Sequence, residues 1–100
     1  MEVQRNYEAM ILLTEDFNDS ELKAWVFNYV KDLRKFDACD ISVISRGKQV
    51  LSYAINHEIK MNYIQLNFSS MPKYINDLSD ILGSDDHVLR CALFEKKTNG

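Results

Sequence analysis

The segment Tyr7-Glu8-Ala9-Met10-Ile11-Leu12-Leu13 constrains this chain more than any other. Read with the period of a strand, Tyr7, Ala9, Ile11 and Leu13 share one face, and Glu8, Met10 and Leu12 share the other. Both faces are largely apolar, which places the strand in the middle of a sheet with something packed on each side.

The rest of the chain supplies the packing. Thr14 to Asp19 is a polar connection in which Asn18 caps a helix and Glu21, three residues on, is its reciprocal partner. The helix is expected from about Asp19 to Phe36. Leu22, Val26, Tyr29, Leu33 and Phe36 make its apolar stripe, widened by Trp25 and Val30. A second strand fits Ala38 to Ser45, with Ile41, Val43 and Ser45 alternating against Ser42 and Ile44. Arg46-Gly47-Lys48 reads as a basic turn, after which Val50 to Ile55 resumes extended character. Asn56 to Asn62 is polar and turn-like. In Tyr63 to Phe68, Ile64, Leu66 and Phe68 point in, while Tyr63, Gln65 and Asn67 point out. Ser69 and Ser70 read as capping residues ahead of Pro72. Ile75, Leu78, Ile81 and Leu82 form a second helical stripe, which Gly83 stops. His87 to Lys96 is the last strand, with Leu89, Cys91 and Leu93 inward and Arg90, Ala92 and Phe94 outward.

The resulting order is β-α-β-β-α-β, an α+β chain of ferredoxin-like topology. Residues 1–100 are expected to form one such domain, with a short tail from about residue 97. Right-handed crossovers put the first and third strands at the centre of a four-stranded antiparallel sheet, with both helices on one face. The other face stays open. Glu8, Met10, Leu12, Tyr63, Gln65, Arg90 and Phe94 fall on it, and it is more apolar than a solvated surface, which suggests an interface.

Enzyme chemistry finds little support. His57 and His87 stand at no ligand or triad spacing, and Asp80, Asp85 and Asp86 read as a solvated loop after a helix end. Cys39 and Cys91 have no metal spacing. They read as reduced, mostly buried thiols, with a Cys39–Cys91 disulfide as the alternative. No cofactor, metal or small-molecule substrate is implied. No signal peptide or membrane-spanning run is present, and Met1 to Asn6 lacks Arg/Ser-rich transit character. The cations carry more information. Arg5 precedes the first strand, Arg46 and Lys48 sit in the basic turn, Arg90 lies on the open face, and Lys96 and Lys97 end the last strand. Such residues supply affinity for phosphates without reading sequence. The formal net charge of −3, however, is a poor match to nucleic acid, so any contact is local or shared with a basic partner.

Four segments together resemble a known family. They are Arg5-x-Tyr7-Glu8; Arg46-Gly47-Lys48-Gln49-x-Leu51-x-Tyr53-x-Ile55; Tyr63-Ile64-Gln65-Leu66-Asn67-Phe68 leading to Pro72; and Asp85-Asp86-x-Val88-Leu89-Arg90. Their order and spacing, over nearly the whole chain, resemble the bacterial and plastid ribosomal protein S6 family of the small subunit. The resemblance implies a ferredoxin-like fold, no catalysis, and a place on the subunit platform. It also implies binding to small-subunit rRNA as a heterodimer with ribosomal protein S18, which docks on the sheet and brings much of the positive charge. Carried over, Arg5, Arg46, Lys48 and Arg90 become rRNA-side residues, joined by Lys96 and Lys97. The partner face is assigned from the residues themselves to Met10, Leu12, Tyr63 and Phe94. The family usually has two basic residues after the turn glycine, where this chain has Lys48 and Gln49. It often has Leu-Ala-Tyr-Pro where this chain has Leu51-Ser52-Tyr53-Ala54, and frequently an Arg near Gly83. Each departure that removes a cation shifts dependence toward the partner. Abundant Asn, Ile and Lys, with no transit peptide, favour a plastid-encoded copy acting in the stroma over one in a bacterial cytoplasm. Two other classes compete: a free-standing single-stranded RNA-binding module, which needs two or three aromatics on its central strands, and a regulatory ferredoxin-like domain that dimerises by its sheet.

Overall fold

The computed structural model describes residues 3–52 and 58–97. The elements are β1 (Arg5–Thr14), α1 (Asp19–Lys35), β2 (Cys39–Ser52), β3 (Glu58–Ser70), a 3₁₀ turn (Pro72–Tyr74), α2 (Ile75–Gly83) and β4 (Val88–Glu95). The sheet runs β2-β3-β1-β4 and every pairing is antiparallel. This is the ferredoxin-like arrangement, with β1 and β3 central.

The helix side of the sheet holds the core. Tyr7, Ala9, Ile11 and Leu13 of β1 face Phe68, Leu66, Ile64 and Asn62 of β3 in register. Tyr29 and Leu33 of α1 and Leu78 and Leu82 of α2 close over them, and Leu22, Trp25, Val26, Val30 and Phe36 pack at the margin. Two polar bonds set how the helices sit. The Tyr29 hydroxyl donates to the Leu78 carbonyl at 3.2 Å, and the Trp25 indole N–H donates to Asp85 Oδ2 at 2.7 Å. Burial, followed by the nearby Cys91 and Asp32, pushes the Tyr29 phenol far above its ordinary pKa, so the hydroxyl stays a donor.

Helix α1 begins with the capping box read from the sequence. Asn18 accepts from the Glu21 N–H at 2.8 Å, and the Glu21 carboxylate accepts from the Asn18 N–H at 3.1 Å. It ends in a Schellman motif: Ala38 N–H donates to Leu33 O and Asp37 N–H to Arg34 O, both at 3.0 Å. The position that glycine would fill is Asp37, at φ 61°.

The structure corrects several expectations. Arg46-Gly47-Lys48 is not a turn. It is a bulge inside one continuous strand, the register with β3 slipping between Ser45 and Gly47, where Gly47 takes φ 76°. Residues 58–62, read as turn, are strand paired to residues 48–52, while residues 53–57, including His57, lie outside the described residues. Ser69 and Ser70 end β3 instead of capping a helix; the Ser69 hydroxyl bonds Asn6 Oδ1 at 2.8 Å. Leu89 is exposed because β4 shifts register against Leu12 and Leu13, bringing Val88 to the core in its place. Cys39 is exposed and Cys91 half-buried, both as free thiols.

Candidate functional site

The open face of the sheet can be read as rows across four strands. One row is Ser42, Asn67, Glu8 and Phe94; the next is Ile44, Gln65, Met10 and Ala92; the third is Gly47, Tyr63, Leu12 and Arg90. Phe94 is 47% exposed and Ile44 38%, while Met10 and Tyr63 are half-buried between them. With the smaller Ala92, these four are the apolar part of the surface. Leu12, expected as a docking residue, is only 7% exposed within the chain itself, so it supports the patch more than it offers contact. Ile44 was not assigned to the partner face, although its alternation with Val43 already put it outward.

A polar chain crosses β2, β3 and β1 through this patch and ends at Lys96, just past β4. Arg46 donates to Gln65 Oε1 through Nη2 at 2.7 Å and Nε at 3.1 Å. Gln65 Nε2 donates to Glu8 Oε1 at 2.9 Å, and the Lys96 ammonium stands 3.7 Å from the same oxygen. Three of the five N–H groups of Arg46 remain for another ligand. Gln65 holds the guanidinium against the sheet, which lowers the entropy lost on meeting a phosphate.

The cations form two groups. Arg5, Lys96 and Lys97 gather where β1 begins and β4 ends, around a recess they share with Gln4, Asn6 and Glu95. Arg5 pairs with Glu95 at 3.3 Å with both side chains exposed, a contact worth at most about 1 kcal/mol and easily exchanged for a phosphate. Lys97 makes no ion pair or hydrogen bond among the described residues. The other pair, Arg46 and Arg90, lies about seven residues along the strands from Arg5, roughly 20 Å at strand rise, its two members on the opposite edge strands β2 and β4. Lys48 is separated from Arg46 by face. It stands opposite Asn62, on the side that carries Ile64, whereas Arg46 crosses to Gln65 on the open side. A stretch read as one basic turn thus presents its two cations to opposite faces of a hairpin.

The acidic loop after α2 has a structural task. Burial acts to raise the Asp85 carboxyl, but the His87 backbone N–H, the Trp25 indole and the His87 ring outweigh it and hold the group below its ordinary value. Asp85 is thereby a latch between α1 and β4, not the solvated loop residue expected. Among the described residues no His, Cys, Asp and Glu cluster suits a metal ion, and no helix is long and apolar enough to cross a membrane.

Comparison with known proteins decides the family: the model for "Ribosomal protein S6" matches residues 6–95. The chain belongs to the ribosomal protein S6 family. It is 65% identical over 97% of its length to the small ribosomal subunit protein bS6c of Phaeodactylum tricornutum, covering 99% of that protein. It is 59% identical over 96% of its length to bS6c of Trieres chinensis, covering all of it. The crystal structure of 30S ribosomal protein S6 from Thermotoga maritima superposes with a TM-score of 0.83, over 94% of this chain and 89% of that one. At 18% identity that likeness speaks to the fold. The S6 family is one of ribosomal structural proteins, not of enzymes, so the surfaces to explain are docking surfaces.

Proposed function

We propose that this S6-family chain is a constituent of the small ribosomal subunit of a plastid, binding small-subunit rRNA as a heterodimer with ribosomal protein S18. The observation that carries this reading is the open sheet face, where an apolar patch of Met10, Ile44, Tyr63 and Phe94 lies between the two groups of cations. A protein partner fits the patch, and phosphates fit its ends. Arg5, Lys96 and Lys97 would meet rRNA at one end, Arg46 and Arg90 at the other, with Lys48 reaching from the back of the hairpin. With a net charge of −3, the chain needs a basic partner to hold RNA firmly. The bS6c names of the two relatives that are 65% and 59% identical favour the plastid over the bacterial cytoplasm.

A free-standing RNA-binding sheet fits less well. Tyr63 is the sole aromatic side chain that the described central strands present on the open face, and Phe94 stands on the edge strand. The test is docking. Phe94→Asp and Met10→Asp each place a carboxylate in the patch and should abolish pull-down of the purified partner, with circular dichroism unchanged. Full retention of the partner by both folded variants would remove it from this face.

A further inference from the structure

A second surface lies on the helix side of the sheet, away from the open face. Between α1 and β2 runs a groove of about 520 Å³. Val26, Phe27 and Val30 line it from the helix and Val43 from the strand. Phe27 is 61% exposed and Val43 43%, which is unusual for apolar side chains facing each other across a gap. Lys23, Lys31 and Arg34 also line it, and with Phe27 they recur along α1 at spacings of four, four and three residues. The Lys31 ammonium stands 5.0 Å from the Phe27 ring centre. None of the three cations forms an ion pair among the described residues, and Asp19, at the start of the helix, is the single carboxylate in the lining.

The strand bordering the groove is an edge. β2 pairs with β3 alone, so its other row of N–H and C=O groups is unmatched within the sheet. Natural edges are usually guarded by charge or proline. Here Ile41-Ser42-Val43-Ile44-Ser45 carries neither, and bulges at Asp40–Ile41 and Arg46 bound it on both sides. An open strand of five residues thus runs beside an apolar trough with a cationic rim.

We propose that this groove receives an extended segment of a partner protein, carrying both apolar and acidic residues on one of its two faces, which adds to β2 as a fifth strand. Main-chain hydrogen bonds to residues 41–45 supply affinity. On the row of side chains that faces α1, apolar residues fill the space beside Phe27 and Val43, and carboxylates in that same row meet Lys23, Lys31 and Arg34. Charge excludes the simplest competitor. A second copy pairing β2 to β2 about a twofold axis would bring the two cationic α1 rims toward each other. A small molecule would leave the open main-chain row of residues 41–45 unpaired.

The test uses the full chain and a fluorescein-labelled peptide of about twelve residues repeating Val-Ser-Glu-Ser, which puts Val and Glu on one face of a strand, followed by anisotropy at about 50 mM salt. The charge reversal Lys23→Glu/Lys31→Glu/Arg34→Glu should weaken binding by about tenfold or more. Phe27→Ser and Val43→Lys, both at exposed positions, should weaken it comparably while circular dichroism stays unchanged. The same peptide N-methylated at alternate amides should not bind, and Phe94→Asp on the open face should leave binding as it was. The proposal fails if the N-methylated peptide or the same peptide with Lys in place of Glu binds equally well, or if the folded groove variants bind normally. It also fails if an rRNA oligonucleotide displaces the peptide through the same three cations at lower concentration than unlabelled peptide does. Dimerisation of the free chain in sedimentation equilibrium, abolished by Val43→Lys, would assign the edge to a second copy and overturn it.

Discussion

The placement of Arg46 and Lys48 on opposite faces of the β2–β3 hairpin makes a quantitative prediction about RNA binding. Arg46 is tied to Gln65 on the open side, and Lys48 stands opposite Asn62 on the other. They share no hydrogen-bond partner, so their contributions should add to within about 0.5 kcal/mol. If each neutralises one phosphate, each alanine substitution should flatten the slope of log K against log salt by about 0.7–0.9. The double variant should then flatten it by about 1.4–1.8. At about 0.1 M salt the same counterion term corresponds to a five- to eightfold loss of affinity per residue. Neither change should cost much stability, since both side chains are exposed and Arg46 gives up bonds only to a surface amide. The assay is filter binding of an rRNA platform fragment by the chain and its partner, between 50 and 200 mM KCl, with all four members of the double-mutant cycle. An unchanged slope in the double variant would take both residues out of the RNA site. A coupling energy above about 1 kcal/mol would show that they act on one phosphate cluster, contrary to the opposite-face reading.

Three further substitutions test the scaffold. Trp25→Phe removes the indole N–H from Asp85 and should cost about 1.5–3 kcal/mol in urea unfolding at neutral pH, toward the lower end because the carboxylate is partly solvated. Since the Asp85 pKa is depressed on folding, its contribution is complete above the ordinary carboxylate pKa and fades as pH falls through the folded one. The deficit of Trp25→Phe should therefore shrink in acid, and a pH-independent deficit would discount the latch. Leu78→Ala opens a void beneath both helices and should cost about 2–5 kcal/mol, read by urea unfolding. Asp37→Gly relieves the left-handed residue of the α1 C-terminus and should add about 0.5 kcal/mol, a rise of about 2–4 °C in Tm by calorimetry.

Much of the fold was legible because its signals are periodic. The two-sided apolar alternation of residues 7–13 called for a central strand, and β1 is flanked by β3 and β4. The stripe from Leu22 to Phe36 and the Asn18–Glu21 box marked α1 to within a residue. Punctuation was harder. Glycine between two cations looks the same in a turn and in a bulge, and only pairing with β3 distinguishes them. The polar residues Lys60 and Asn62 read as loop because a long hairpin tolerates polar side chains where its surface is solvated or, as at Asn62, where the amide bonds a neighbouring carbonyl, Thr14 O at 2.9 Å. Asp85 shows the same limit. Its partners, Trp25 and His87, stand 60 and 2 residues away, and no local pattern announces the longer contact. For the candidate site, the alternation of β1, β3 and β4 correctly brought Met10, Tyr63 and Phe94 onto one face. The burial of Leu12 and the parting of Arg46 from Lys48 depend on register, which the sequence does not display.

The measurement closest to the central claim is sedimentation of the tagged chain through a sucrose gradient from a plastid-bearing cell lysate. The tagged chain should travel with the small-subunit peak, and Phe94→Asp should shift it to the top of the gradient together with loss of the proposed S18 partner. A wild-type chain that stays at the top while small subunits sediment normally would contradict a ribosomal role for this protein.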